Sequence, residues 1–537
     1  MRLHVAATLC TLVLFHSSHS DTSSGPYSQW VRPGADGRLA YATTSTGDHI
    51  VDFSYAGYRG GGVALPDAPV VETLAPSGAD DTAALQAALD RAGVAAAKSN
   101  APKALLLAPG IFHLSAAVNI SASNLVLRGS GRDKTTLQLT GAPHIGFVMG
   151  LNSTSTAANP GDDSDAPCAQ EQPAKAPHAR STLADAYIPS GTRQLPLASV
   201  AGFAVGDTIV IKHPITAEYL RFMGMDHLVR SGRDEHWVGS AITTERRIAA
   251  IHGNTLVLDV PITDDYDARF GGGAMTTVAA VAAPARLHDS GIEALTLSAP
   301  SVSIALDEPH FDAIHITTAE DVWLRDLDIH DTTDFVRVEA PARRVTIDRV
   351  DLTERKPITS HAKNFGFSIG GTQTLVMHSS ARADKLIFAA TQARIQGPNV
   401  LLDCEFTGDL DVEPHQRWAT GFLVDNVHVH GGAIHFINRG EMGSGHGWAI
   451  GWSVIWNSTA DALVAQLPPG SMNWVIGSKG QRRRQPMPIM GASGADKGPD
   501  LPEATYDSWD KPVQPRSLYL QQLSDRLGPQ AVKNIGY

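Results

Sequence analysis

Two histidines in short polar and aromatic insets are the first residues in this chain able to do chemistry. His415 lies in Pro414-His415-Gln416-Arg417-Trp418, and His446 in Gly443-Ser444-Gly445-His446-Gly447-Trp448. An imidazole titrates near neutrality, so it suits proton transfer at ambient pH. Arg417 and Arg439 can each hold a carboxylate through two parallel hydrogen bonds. β-Elimination from a uronate polymer needs a cation to neutralise the carboxylate and acidify the adjacent C–H. It also needs a base for that proton and an acid for the departing oxygen. His415, Arg417 and His446 supply these three functions and are the expected catalytic residues. Trp418 and Trp448 follow the histidines closely and are candidate platforms for sugar rings. The glycines beside His446 leave room for a ligand near the backbone.

Hydrolysis is the alternative chemistry. It needs two carboxylates about 5 to 9.5 Å apart, and Asp384, Asp409, Asp411 and Glu413 are the candidates. Asp409, Asp411 and Glu413 could also contribute oxygens to a calcium ion, the one candidate cofactor, and none is assigned as certain. His428 and His430 share a strand face, but no third ligand at a telling spacing accompanies them, so no metal residue is assigned.

These residues need a scaffold that places 415 beside 446. The pattern apolar-x-apolar-polar starts at Val322, Val345, Leu375, Val400, Phe422, Val454 and Trp474, at intervals of 23, 30, 25, 22, 32 and 20 residues. That is the period of a solenoid, with turns stacked about 4.8 Å apart. His415 lies 7 residues before Phe422 and His446 lies 8 before Val454, so both are expected on neighbouring turns. The same offset gives Gln392 or Ala393 on the turn before and Gln466 or Leu467 on the turn after; with the glutamines it makes a polar column suited to an extended polymer. Gln392, Trp418, Arg439, Trp448 and Gln466 are the expected substrate-binding set. Asp348, His378, Asp403, Asp425 and Asn457 share the position where strand gives way to turn and are read as stacked turn residues.

Composition bounds the rest. The chain has 537 residues, 43% of them hydrophobic, and a formal charge of −12, which argues against a nucleic-acid partner. Residues 1–20 have the layout of a secretory signal, and no stretch is long enough to span a membrane. An exported monomer, periplasmic or extracellular, is expected. Beyond that leader only Cys168 and Cys404 remain, so burial and backbone pairing must hold the fold. Asn119, Asn152 and Asn457 head glycosylation sequons.

The segments YAGYRGGG, PSGADDTAALQAALD, EPHQRWATG and GSGHGW, with the C-terminal SLYLQQLSDRLGPQAVKNIGY, resemble those of secreted pectate-lyase-superfamily proteins of the pectin-lyase-like class. The resemblance implies an all-β fold: a right-handed parallel β-helix with an N-terminal capping helix and an inserted small β module. It also implies action on acidic polysaccharides, by lyases or hydrolases, some of them calcium-dependent. No residue role comes from it, because neither the paired aspartates of the polygalacturonase pattern nor the arginine signature of the pectate lyases is present. A noncatalytic carbohydrate-binding or adhesin β-helix is the third reading.

The organisation expected is a signal (1–20), a cap with the first coils (21–149) and an inserted module (150–280). The main coil carrying the site follows (281–480), then a strap with a helix closing the C-terminal end (481–537). His213, Tyr219, Arg221, His227 and Trp237 in the module are expected in solvated loops.

Overall fold

The computed structural model describes residues 26–99, 101–151, 177–230, 233–234, 237, 241–270, 276–303, 308–356, 364–485 and 499–537. The expected signal, Cys168 and Asn152 fall outside them. Strands from successive turns pair in parallel and build three long sheets around one core. The first begins at Val70–Leu74, Lys103–Leu107 and Leu125–Arg128. It continues through the long strands Leu287–Ser298, Ala319–His330 and Arg343–Thr353. It ends in Ser453–Trp456, Asn473–Ile476 and Thr505–Asp507.

The reason this sequence winds so regularly can be read across the rungs. Leu105, Leu127, Ile292, Leu324, Ile347, Val376, Leu401, Val424, Ile455 and Val475 face one another in unbroken register. All are buried in one cluster, so each rung covers the apolar side chains of its neighbours. The helix Thr82–Ala97 adds Leu85, Ala88, Leu89, Ala92 and Ala96 to the same cluster.

The bend from the first sheet into the second is made by single residues at positive φ: Asp326, Arg349, His378, Asp403, Asn426 and Asn457. Asn and Asp tolerate this conformation best. The expected turn column is therefore corrected by one residue in two places. Asp348 pairs with Met377, and Asp425 with Leu402 and Trp456, inside the strands. The Asn457 side chain donates to the carbonyls of Val513 and Arg516, so this sequon lies buried under the C-terminal segment.

The outer side of the first sheet is covered rather than solvated. Leu375, Met377, Val400, Leu402, Leu423, Val454, Trp456 and Trp474 pack against Val31, Ile50, Val51 and Phe53, and against Leu518, Tyr519 and Leu523. The helix Leu518–Leu527 thus lies along the side of the coil and does not close its end. Asp425 anchors its start, accepting from Ser517 Oγ at 2.7 Å and Tyr519 N at 2.8 Å. The expected irregular strap also contains a further rung, Thr505–Asp507.

The described residues between 179 and 281 form the inserted module, a six-stranded antiparallel sheet with its own core. It docks on the coil through Arg246 Nη2 to the Gly397 carbonyl (2.8 Å), Thr263 with Thr420 (2.8 Å), and Glu245 with Arg286 and Arg343. His213, Tyr219 and Trp237, expected in solvated loops, are buried, because their segment packs on the coil beside Trp418 and Trp448. Arg221 and His227 are exposed as expected.

Candidate functional site

The third sheet positions the candidate residues. It runs through Ile145–Met149, Asp312–Ile316, Asp334–Val338, Phe365–Ile369 and Ile387–Thr391. Bridges at Val412 and Ile434 carry it on to the strands ending at Ala465 and Arg483. Ile314, Val336, Phe367, Ala389, Val412 and Ile434 point into the core. The next residue on each strand then faces outward, which puts His315, Arg337, Ser368, Ala390, Glu413 and His435 in one outward column.

His415 leaves this sheet just after Glu413, its N–H bonded to the Thr391 carbonyl. Its ring centroid lies 4.6 Å from that of His446 and 5.2 Å from that of Phe365. The two imidazoles expected on neighbouring turns therefore meet, outside the apolar core. They are nearly closed off, at 8% and 2% exposure. Arg439 Nη1 donates to His415 Nδ1 and to the His415 carbonyl, both at 2.9 Å, and Arg439 Nε lies 2.9 Å from Glu413 Oε1. A guanidinium has only N–H groups to offer, so Nδ1 accepts and the neutral His415 ring carries its proton on Nε2. Arg439 therefore positions His415 and balances buried Glu413, a tighter commitment than the sugar contact expected of it. Arg417 stands at φ 49°, its N–H donating to the His446 carbonyl at 3.1 Å. Its backbone ties the two insets together.

The tryptophans are a correction. Trp418 Nε1 donates to Asp264 Oδ2 at 2.9 Å and Trp448 Nε1 to the Met223 carbonyl at 3.2 Å. Both rings are buried between module and coil with Tyr219, Met223 and Trp237, and so offer no face to a sugar. The space beside Gly447 is likewise taken: a Cβ there would lie 2.2 Å from the Trp237 ring. Trp237 Nε1 in turn bonds the His446 carbonyl at 2.9 Å. Gly447 admits the module, not a ligand. Gln466 is fully buried and holds main chain, taking Asn438 N–H at 2.8 Å and giving to the Arg484 and Pro499 carbonyls. It is a structural glutamine. Gln392 is half-buried and donates to Ser368 Oγ at 2.8 Å, which keeps it on the face of the column.

Beside Arg439 the structure gathers Asp411, Glu413 and His435, with donor atoms within 4.8 Å of one another. Burial pushes Asp411 up to about 7 and raises Glu413, and burial brings His435 down to about 4. His435 was not a sequence candidate. Its only signal is alternation with core Ile434 and Phe436. The oxygen-rich set that calcium takes is not what assembles here. Asp409 gives an oxygen to Lys385 N–H at 2.5 Å, and the third donor with Asp411 and Glu413 is an imidazole. The residues expected to hold calcium do not fit it. Asp411 and Glu413 also crowd one imidazole instead of flanking a cleft at glycosidase spacing. His428 and His430 are occupied separately, with Thr459 Oγ1 at 2.7 Å and Glu405 at 3.4 Å. Buried Cys404, its thiol raised to about 12 by burial, is a packing residue.

No protein-family model matches the chain, and no curated protein does. Among solved structures, the tailspike protein gp49 from Pseudomonas phage LKA1 matches 75% of this chain and 69% of its own, at 11% identity and a TM-score of 0.29. The Azotobacter vinelandii mannuronan C-5 epimerase AlgE4 A-module matches over 77% and 89%, at 8% identity and 0.32. The Gp54 tailspike of Acinetobacter baumannii bacteriophage AP22, solved with a capsular saccharide, matches over 81% and 71%, at 9% and 0.26. Likenesses this distant carry no argument, and the parallel three-sheet coil rests on its own strand register.

Proposed function

We propose that this chain cleaves a uronate-containing polysaccharide by β-elimination at the His415–His446 pair. The observation that carries the reading is the 4.6 Å approach of the two rings with Arg439 on His415 Nδ1. With that nitrogen occupied, His415 presents Nε2–H as a donor toward the departing oxygen, while His446 is the base for the proton next to the carboxylate. Arg417 is the cation for that carboxylate. Exclusion of water strengthens each of these interactions, and the reacting sugar must enter a nearly closed site. The tightly clustered carboxylates and buried tryptophans disfavour the hydrolase and the aromatic binding platform.

The finer expectations travel with this reading: right-handed winding, the helix Thr82–Ala97 as the N-terminal cap, export, and a monomer acting outside the cytoplasm. The test is absorbance near 235 nm on a panel of uronate polymers, since elimination alone creates the unsaturated product. His446→Ala is expected to lower the rate by about 10²–10⁴-fold. New reducing ends without absorbance would replace the lyase by a hydrolase, and binding without turnover would leave only an adhesin.

A further inference from the structure

The third sheet carries two triads of the same composition, each an imidazole with two carboxylates. Asp312 takes the Asp334 N–H on Oδ1 at 3.2 Å, and its Oδ2 stands 3.3 Å from His315 Nε2. Asp411 takes the Ala433 N–H on Oδ1 at 2.8 Å, and its Oδ2 stands 3.3 Å from His435 Nδ1. A second carboxylate completes each group, Asp334 beside Arg337 and Glu413 beside Arg439. Within each triad the donor atoms lie within 4.8 Å of one another. His315 and Glu413 occupy the same outward column, four rungs and therefore about 19 Å apart.

Neither ring nitrogen of His315 or of His435 makes a hydrogen bond, and the rings are only 3% and 1% exposed. Asp334 Oδ1 is equally buried without one. Leaving a buried polar group unsatisfied costs about 1–3 kcal/mol, and here the omission recurs in both triads. A neutral imidazole lone pair facing a carboxylate oxygen is repulsive unless something positive lies between them. Donor atoms this close can share one ion, since metal–ligand distances run about 2.0–2.6 Å.

We infer that each triad, Asp312/His315/Asp334 and Asp411/Glu413/His435, binds a divalent first-row metal ion. Two carboxylates and an imidazole suit Mn²⁺ or Zn²⁺, whereas Ca²⁺ takes six to eight oxygens. The arginines each lean on the second carboxylate and hold it for the ion. Glu413 joins the second ion to the Arg439–His415 contact, and only in that respect does the inference touch the proposed elimination.

The experiment uses the full-length protein, stripped with chelator and re-equilibrated with Zn²⁺ or Mn²⁺. Bound ion is counted by elemental analysis and affinity measured by titration calorimetry. Two equivalents per chain are expected, with one lost in Asp312→Asn, one in Asp411→Asn and both in the double variant. His315→Leu, which fills the space without supplying a donor, is expected to lose one equivalent while keeping the circular dichroism spectrum. Uptake of no ion, or two equivalents undiminished by these variants, overturns the inference. Because the readout is bound metal and not absorbance at 235 nm, it stands or falls apart from the elimination.

Discussion

At the scale of single residues, the site is a chain of commitments leading from Glu413 through Arg439 to His415. Removing only the cation strands a buried carboxylate that burial already holds above its ordinary range. Arg439→Met is therefore expected to destabilise the fold by about 3–5 kcal/mol. Adding Glu413→Gln is expected to recover part of the loss, a coupling that urea unfolding of the double-mutant cycle measures. Asp425 has a different signature. Burial pushes it from 3.8 up to about 7 although it accepts from Ser517 and Tyr519. With the folded pKa above the unfolded one, its contribution is full below pH 4 and is lost as pH rises through about 7. At about 1.4 kcal/mol per unit the loss is a few kcal/mol at most. Asp425→Asn is expected to flatten the stability–pH curve over that window, read by denaturant titrations at a series of pH values.

At the scale of elements, the rungs depend on their stacked aliphatic ladder and the module on a few close approaches. Leu401→Ala opens a cavity between Val376 and Val424 and is expected to cost about 2–5 kcal/mol. Gly447→Ala meets the Trp237 ring, at a φ of +58° that also favours glycine. It is expected to displace the module edge from the His446 loop, seen as increased amide exchange over residues 446–448 with the rest of the coil still protected. The helix Leu518–Leu527 was legible as amphipathic, from Leu518, Leu520, Leu523 and Leu527. Its destination was not, because an apolar stripe says that something is covered without saying what.

For the whole molecule, the coil is closed along one side by its two ends. The segment around Val31–Phe53 and the helix after Ser517 together cover Leu375, Met377, Val400, Leu402, Leu423 and Trp456. Removing residues 516–537 exposes this continuous apolar strip, a size of patch that soluble proteins rarely leave open. Association or aggregation of the truncated chain is expected, checked by light scattering against the intact protein.

The amino-acid sequence by itself determined the repeat, because a rung of a coil is a local object. Branched apolar residues alternate within four or five positions, and Asn, Asp or Gly follows where the chain bends. The spacing to Phe422 and Val454 was enough to bring His415 beside His446. Only the tertiary structure decided what surrounds them. Trp418, Trp448 and Gly447 carry the same residue types whether they face a sugar or an inserted module, and here they face the module, at Tyr219, Met223 and Trp237. His435 was invisible for the same reason. A lone histidine between two core residues acquires meaning only when the preceding rung sets Asp411 and Glu413 against it, a juxtaposition made by winding and absent from any local window of the chain.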